Sequence, residues 1–280
     1  MPAPAQPRFT EKNLYTRFGP RATDVKQDAL GDCYFVATLA AVARQRPQYI
    51  KSSIAYDRAS HHFIVRLFDM KGKIKYVHVT QTELADNINR QGGSYMDNTN
   101  KDENAWPAVF ETAYAKMFDS NPKDGLAEGY NKIANGGWPK DAMMAITGFL
   151  GTEIAFTMEP PLTREQAIEL LGSRVALALK QKKFVTLWSV PEIDKRNWLE
   201  KALGTPVPQD GLVDDHVYTV LSMTQAGHGA WTVNLRNPWG TNMGVGEGKD
   251  AASALISVPL RTLVDTGGLR SFRVSDRRLR

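Results

Sequence analysis

The apolar positions of the chain follow two periods, and the period changes near residue 148. Before that point the apolar runs have helical length and spacing: residues 33–43 end before Arg46-Pro47, and residues 106–118 carry their apolar side chains on one face. After residue 148 the alternation typical of strands is more frequent. The pattern predicts a mostly helical first part and a strand-rich second part.

Two pairs of alternating segments predict β-hairpins. Residues 62–68 and 74–79 flank the turn sequence MKGK, and residues 217–223 and 231–235 flank AGHG. The second hairpin would carry His216 near the start of one strand and Asn237 at the end of its antiparallel partner.

The remaining segments of the chain are assigned from the same patterns and from composition. Strands are predicted at 153–157 and 184–190, a helix at 163–180, loops at 84–104 and 194–212, and a disordered Pro- and Ala-rich start at 1–12.

Composition excludes several classes of protein. A chain of 280 residues with 42% hydrophobic residues can fill one large core or two modest ones. The 35 basic and 30 acidic residues are scattered, so we expect no nucleic-acid binding. The sequence shows no signal peptide and no apolar run of about 18 residues that could span a bilayer, so we expect a cytoplasmic site of synthesis and no membrane partner. Export by a specialised secretion system would leave the same features.

The single cysteine, Cys33, is the candidate for chemistry. It cannot form an internal disulfide, and it opens an apolar helix whose N-terminal dipole would favour the nucleophilic thiolate. Gly31-Asp32 before it predicts a turn with a helix cap. Gln27, one loop upstream, could supply an amide donor to an oxyanion. A small buried hydrophobic cysteine is the alternative interpretation.

Five segments in order resemble the calpain-type cysteine proteases, which have the papain-like fold. The family patterns are Gln-Gly-x-x-Gly-Asp-Cys-Trp, Trp-Pro-x-x-x-Glu-x-Ala-Tyr-Ala-Lys, a Gly-Gly loop with its following helix, Gly-His-Ala-Tyr-Ser-Val and Arg-Asn-Pro-Trp-Gly. The matching segments here are QDALGDCY at 27–34, WPAVFETAYAK at 106–116, Gly136-Gly137 with AMMAITG at 142–148, DHVYTV at 215–220 and RNPWG at 236–240.

The resemblance implies an α+β, two-lobed papain-like fold with the active-site cleft between the lobes. Residues 13–148 would form the helical lobe that carries Gln27 and Cys33, and residues 149–280 the β-rich lobe that carries His216 and Asn237. The implied activity is that of a cysteine endopeptidase that cleaves protein or peptide substrates through an acyl-enzyme. Cys33 would be the nucleophile, His216 the acid and base, Asn237 its orienting group and Gln27 an oxyanion donor.

The resemblance also implies substrate contacts. Gly136 and Gly137 would let the backbone approach an extended substrate, and Trp239 would cover the histidine–asparagine pair. The chain departs from the family pattern at Asp28, Tyr34 and Asp215, where the family has glycine, tryptophan and glycine. An added carboxylate beside Cys33 or His216 would favour the imidazolium and raise the pKa of the thiol.

Other functions use the same residues. A Cys-His-Asn site could transfer the acyl group to an amine or deamidate, as transglutaminase-like relatives do, and an inactive chain could bind a partner through its cleft. The short Pro-rich start, without accessory domains, resembles bacterial calpain-like domains. Some of these are toxin effectors, and such a role would imply an inhibitor or immunity protein as partner.

No cofactor or metal site is predicted. His61, His62 and His78 lack metal-ligand spacing, and GVGEGK at 244–249 lacks the Ser or Thr of a phosphate loop.

Calcium, which animal calpains need, is the metal that the resemblance raises. The segment 240–250 offers only Glu247 and Asp250 as carboxylate ligands, fewer than a calcium site uses. Asp32, Glu128 and the carbonyls around Gln27 are the alternative ligands. We expect activity to persist without calcium.

Overall fold

The computed structural model describes residues 7–27, 30–90, 94–96, 104–121, 124–227, 230–242 and 252–276. The chain divides into two compact units, the first ending at Leu150 and the second beginning at Gly151. The mixture of helices and sheets confirms the α+β class. None of the described helices has the length and apolar character needed to cross a membrane.

The elements are numbered along the chain. The helices are α1 (Cys33–Gln45), α2 (Pro47–Ser53), α3 (Gln81–Asn89), α4 (Trp106–Lys116), α5 (Ala127–Ala134), α6 (Pro139–Thr147), α7 (Arg164–Lys180), α8 (Trp198–Ala202) and α9 (Leu260–Thr266). The strands are β1 (Val25–Gln27), β2 (Ile54–Asp57), β3 (His62–Phe68), β4 (Ile74–Val79), β5 (Ser94–Met96), β6 (Thr152–Ile154), β7 (Val185–Ser189), β8 (Val217–Gln225), β9 (Trp231–Arg236), β10 (Leu255–Pro259) and β11 (Leu269–Val274).

Helix α1 is the centre of the first unit. Its residues from Tyr34 to Ala43 are all buried, and α2, α4, α6 and β1 pack around it. The helix ends at Gln45, before Pro47, because proline lacks the N–H that would continue the hydrogen-bond ladder. Both the helix and its end were predicted from the apolar run.

The hairpin β3–β4 is confirmed and extends to a three-stranded antiparallel sheet with β2. Strand β3 alternates strictly, with Phe63, Val65 and Leu67 fully buried. A second small sheet pairs β1 with β5 and places Gln27 opposite Ser94.

Two predictions for the first unit are wrong. The segment 84–104 was predicted as a loop, but its beginning belongs to α3, which starts from a capping box of Thr80 and Glu83. The predicted disordered start also fails for its last residues: Phe9 is fully buried, and its backbone N–H and C=O both bond the Gln81 side chain at 2.9 Å. Residues 1–6 lie outside the described residues.

The second unit is built on a six-stranded antiparallel sheet. The strand order is β10-β9-β8-β7-β11-β6, and α7 and α9 pack on it over a core of aliphatic and aromatic side chains. The predicted hairpin β8–β9 and the predicted helix near 163–180 are confirmed, the helix starting after a Thr163 cap. The predicted loop at 194–212 contains the short helix α8 instead, capped by Asn197.

Candidate active site

The turn before α1 places Cys33 at the first position of the helix. The thiol is partly exposed, whereas the next ten residues are buried. A Cβ atom at Gly31 would lie 2.2 Å from the carbonyl oxygen of Ala134, at the end of α5. Only glycine fits there, so the turn before Cys33 packs directly against the neighbouring backbone.

Gln27 ends β1 and is 6% exposed. Its Nε2 donates to the carbonyl oxygen of Leu30 at 2.5 Å and to Asp32 Oδ1 at 3.2 Å. A carbonyl oxygen can only accept, so the nitrogen end of the amide must face Leu30. The amide of Gln27 is therefore fixed by the turn that leads to Cys33.

Asp32 stands at the N-cap position of α1, but its side chain does not cap the helix. The predicted cap is wrong because the carboxyl group points inward, where it accepts from Gln27 and bonds the carboxyl group of Glu111 in α4. Both residues have no solvent exposure. Burial, and then the nearby Glu111, raise the pKa of Asp32 well above its usual range.

The two glycines predicted to contact substrate lie in the same unit as Cys33. A Cβ atom at Gly137 would lie 2.5 Å from the ring of Tyr34, the residue after Cys33. Gly136 has φ +78° and open space around it within 4 Å. The Gly-Gly loop therefore packs beside the start of α1.

In the second unit the hairpin brings His216 and Asn237 together. His216 directly precedes β8 and Asn237 directly follows its antiparallel partner β9, so both lie at one end of the hairpin. His216 Nε2 is 3.1 Å from Asn237 Oδ1. His216 is 4% exposed and Asn237 has no exposure. The side chain of Ser189 at the end of β7 donates to the backbone oxygen of His216 at 3.0 Å and anchors the start of β8.

The orientation of the Asn237 amide is settled by its neighbours. The backbone N–H of Trp239 donates to Asn237 Oδ1 at 3.1 Å, and Asn237 Nδ2 donates to Asn242 Oδ1 at 3.4 Å. Asn242 in turn donates to the carbonyl oxygen of Leu255 at 3.0 Å. Since Asn237 presents its oxygen to the imidazole, His216 Nε2 must carry the proton, and Nδ1 keeps the free lone pair.

Trp239 covers this pair. Its ring lies 4.8 Å from the imidazole of His216, between centroids, and Tyr218 meets the imidazole edge-on at the same separation. Asn242 and Ser189 also support the site, and no local pattern in the sequence marks them, because each acts through a contact with a residue distant in sequence. Glu111 is part of the matched pattern at 106–116, but the pattern does not indicate its contact with Asp32.

The first unit thus gathers Gln27, Cys33 and the two glycines around the start of α1, and the second gathers His216, Asn237 and Trp239. A family model described as calpain family cysteine protease matches residues 6–257, most of the chain. The chain belongs to the calpain family of cysteine proteases.

Individual relatives match most of this chain. A thiol protease of Porphyromonas gingivalis is 28% identical over 236 residues, which are 80% of this chain and 45% of that protein. Calpain-13 of Rattus norvegicus is 25% identical over 79% of this chain and 30% of its own length. Calpain-9 of Homo sapiens is 26% identical over 79% of this chain and 29% of its own length. The chain therefore spans less than half the length of these relatives.

The calpain pattern has glycine where this chain has Asp215. The backbone conformation at this position explains why either residue can occupy it. Asp215 has φ +49°, in the left-handed region that glycine favours and that aspartate tolerates better than most residues. Its side chain is exposed. The expected stabilisation of the imidazolium by this carboxylate is wrong: burial lowers the pKa of His216 to about 4, and the contribution that opposes this shift is the hydrogen bond to Asn237. Asp28 lies outside the described residues.

The low pKa of His216 predicts acid sensitivity. In the unfolded chain histidine has a pKa near 6.5, so between about pH 6.5 and 4 the unfolded state binds more protons and the free energy of unfolding decreases as the pH falls. The free energy of unfolding lost through His216 between these two pH values is on the order of 3 kcal/mol. Denaturant unfolding of His216→Gln at several pH values should give a shallower dependence than the parent. His78→Gln, at an exposed site on β4, should keep the parental slope, and equal slopes for all three proteins would contradict the prediction.

Proposed function

We propose that this chain is an endopeptidase with a papain-like two-lobed arrangement, in which Cys33, His216 and Asn237 act on backbone amides of protein or peptide substrates. The observation that carries the proposal is the hydrogen-bond chain from Leu255 through Asn242 to Asn237, which leaves His216 Nδ1 as the basic nitrogen. A base with a fixed tautomer and a lone cysteine at a helix N-terminus are the two groups that thiol proteolysis requires.

The mechanism follows from these atoms. His216 Nδ1 takes the thiol proton, and the Cys33 thiolate attacks the carbonyl carbon of the scissile amide. The protonated imidazole then gives its proton to the leaving amine, and a thioester to Cys33 remains. Water, deprotonated by the same nitrogen, hydrolyses the thioester and restores the free thiol. Asn237 keeps the imidazole in place through both steps.

The oxyanion that forms at the carbonyl needs donors. The backbone N–H of Cys33 is one, and the Gln27 side-chain amide is the other, each worth on the order of 3 kcal/mol in the transition state. The open space beside Gly136 suits the extended backbone of a substrate. The ring of Trp239, 4.8 Å from the imidazole and tilted by 48° to it, shields the His216–Asn237 hydrogen bond from water.

The molecule that takes the acyl group from the Cys33 thioester decides between the two activities: water gives hydrolysis, and an amine gives acyl transfer. Incubation of the protein with a peptide library that contains free amines, followed by mass spectrometry, distinguishes the products. We expect new peptide termini with the mass of added water. Crosslinked peptides or deamidated glutamine without new termini would support the transferase alternative, and unchanged peptides would support a cleft that only binds a partner.

The candidate calcium ligands of the first unit do not fit a calcium site. Asp32 has no solvent exposure and is bonded to another acid, Glu111. Glu128 is occupied by the backbone N–H and hydroxyl of Ser120, at 2.9 and 2.5 Å, and the hydroxyl bond lowers its pKa most. A calcium site uses six to eight oxygens. Glu247 and Asp250 lie outside the described residues.

We therefore expect activity without calcium. Cleavage of a denatured protein in EGTA should stay within about tenfold of the rate with added calcium, since a tenfold change corresponds to about 1.4 kcal/mol. A larger loss that calcium restores would contradict the prediction. Glu128→Gln, which removes a carboxylate that does not fit a metal site, should leave the response to calcium unchanged.

A further inference from the structure

Two acids without solvent exposure meet directly beside the nucleophile turn. Asp32 precedes Cys33, and Glu111 projects from the middle of α4; their carboxyl groups are hydrogen-bonded to each other. Two carboxylates in contact cannot both stay charged away from water, because each desolvated charge is costly and the two repel. At least one proton must therefore be held between them.

The hydrogen bonds around Asp32 and Glu111 indicate which of the two acids holds the proton. Asn87 Nδ2 donates to Glu111 Oε2 at 2.9 Å, so this oxygen of Glu111 already has a donor. Asp32 takes part in no ion pair within the described part of the chain, and its Oδ2 is a buried oxygen without a fixed donor there. A proton on Asp32 Oδ2, donated toward Glu111, satisfies that oxygen and joins the two acids.

The groups that face Asp32 from other elements are uncharged or acidic. Gln27 donates to it from β1, and the phenols of Tyr34 and Tyr114, which hydrogen-bond each other, lie nearby with Asp141 of α6. Burial raises the pKa of both phenols, and Asp32 and Asp141 add to the shift. For Asp32 itself, burial and then Glu111 raise the pKa, and the hydrogen bonds from the backbone and from Gln27 oppose that shift without reversing it.

We propose that Asp32 is a protonated, neutral acid held by Glu111, and that in this form it positions Gln27 for the oxyanion. The inference rests on the proposed oxyanion role of Gln27. Asp32 Oδ1 lies 3.2 Å from Gln27 Nε2, the longer of the two bonds that hold this nitrogen. A neutral acid accepts weakly and lets one N–H turn to a substrate oxyanion, whereas an ionised Asp32 would retain it and would repel both the thiolate and the oxyanion.

The first test measures the proton without using activity. Difference infrared spectroscopy between the parent and Asp32→Asn at pH 7 should show the carbonyl stretching band of a protonated carboxyl group, present in the parent only. Asp86→Asn, which changes an exposed acid on α3, should retain the band. Only carboxylate bands in the difference spectrum would overturn the proposal, whatever the activity of the protein.

The second test separates positioning from mere support of the fold. Asp32→Asn keeps an acceptor for Gln27 and a donor for Glu111, so kcat should fall less than about tenfold. Asp32→Ala should lower kcat by about 100-fold with little change in KM, and should add little further loss in a Gln27→Ala background. If the losses in kcat from Asp32→Ala and Gln27→Ala are additive, the positioning role of Asp32 is overturned. An Asp32→Asn protein as impaired as Asp32→Ala would overturn it too. If Asp32→Ala does not fold, Asp32→Asn kinetics and the infrared band still decide.

Discussion

Cys33→Ala is expected to lower kcat/KM for peptide cleavage by at least about 10⁴-fold, because every covalent step of the proposed mechanism uses the thiolate. The protein should remain folded. Cys33 is partly exposed at the first position of α1, and alanine is the best helix former. Circular dichroism and the Tm should therefore match the parent.

A matched variant separates chemistry from shape. Cys33→Ser retains a polar atom of similar size, but a hydroxyl is not ionised near neutral pH, so this variant should be as inactive as Cys33→Ala. A Cys33→Ala protein that cleaves peptides at the parental rate would refute the assignment of the nucleophile and the protease function with it. A fully active Cys33→Ser protein would show that thiolate chemistry is not required.

His216→Ala is expected to lower kcat/KM by at least about 10³-fold, and Asn237→Ala by about 10- to 100-fold. In the proposed mechanism His216 provides the atom that moves the proton in each step, whereas Asn237 fixes only the tautomer and direction of the imidazole. His78→Ala removes an exposed histidine from β4 and should leave turnover within about twofold of the parent. A larger loss in Asn237→Ala than in His216→Ala would show that the roles are wrongly assigned.

Alkylation of the Cys33 thiol gives a second test of whether His216 acts on Cys33. Because Cys33 is the only cysteine, the rate of iodoacetamide labelling reports this thiol alone. In the parent, labelling near pH 7 should be faster than in His216→Ala, since His216 Nδ1 can accept the thiol proton as the sulfur attacks the reagent. In His216→Ala the rate should rise only toward the usual thiol pKa of about 8.5. Identical pH profiles for the two proteins would mean that His216 does not act on Cys33.

The elements that position the candidate site could be predicted from sequence because their causes are local. The apolar run after Cys33 and the proline at 47 set the helix and its end. The alternation of apolar and polar residues in 217–223 and 231–235 predicts the hairpin β8–β9. The antiparallel pairing of these strands alone brings His216 and Asn237 to one end of the hairpin. The capping box that starts α3 is equally local, but the polar composition of residues 84–104 favours a loop, so the sequence pattern does not predict the helix there.

The side-chain states of the site were decided by tertiary structure. Asp32 at a helix start is ordinarily a cap, and only contact with Gln27 and Glu111 turns it inward and favours its protonated form. The tautomer of His216 depends on Asn242 and Leu255, and its low pKa depends on burial.

The sequence by itself thus determined the family, the order of the candidate residues and the elements that carry them, since periodicity and motifs involve neighbouring positions. Protonation and amide orientation depend on desolvation and on donors from distant segments. Those partners meet only when the chain is folded.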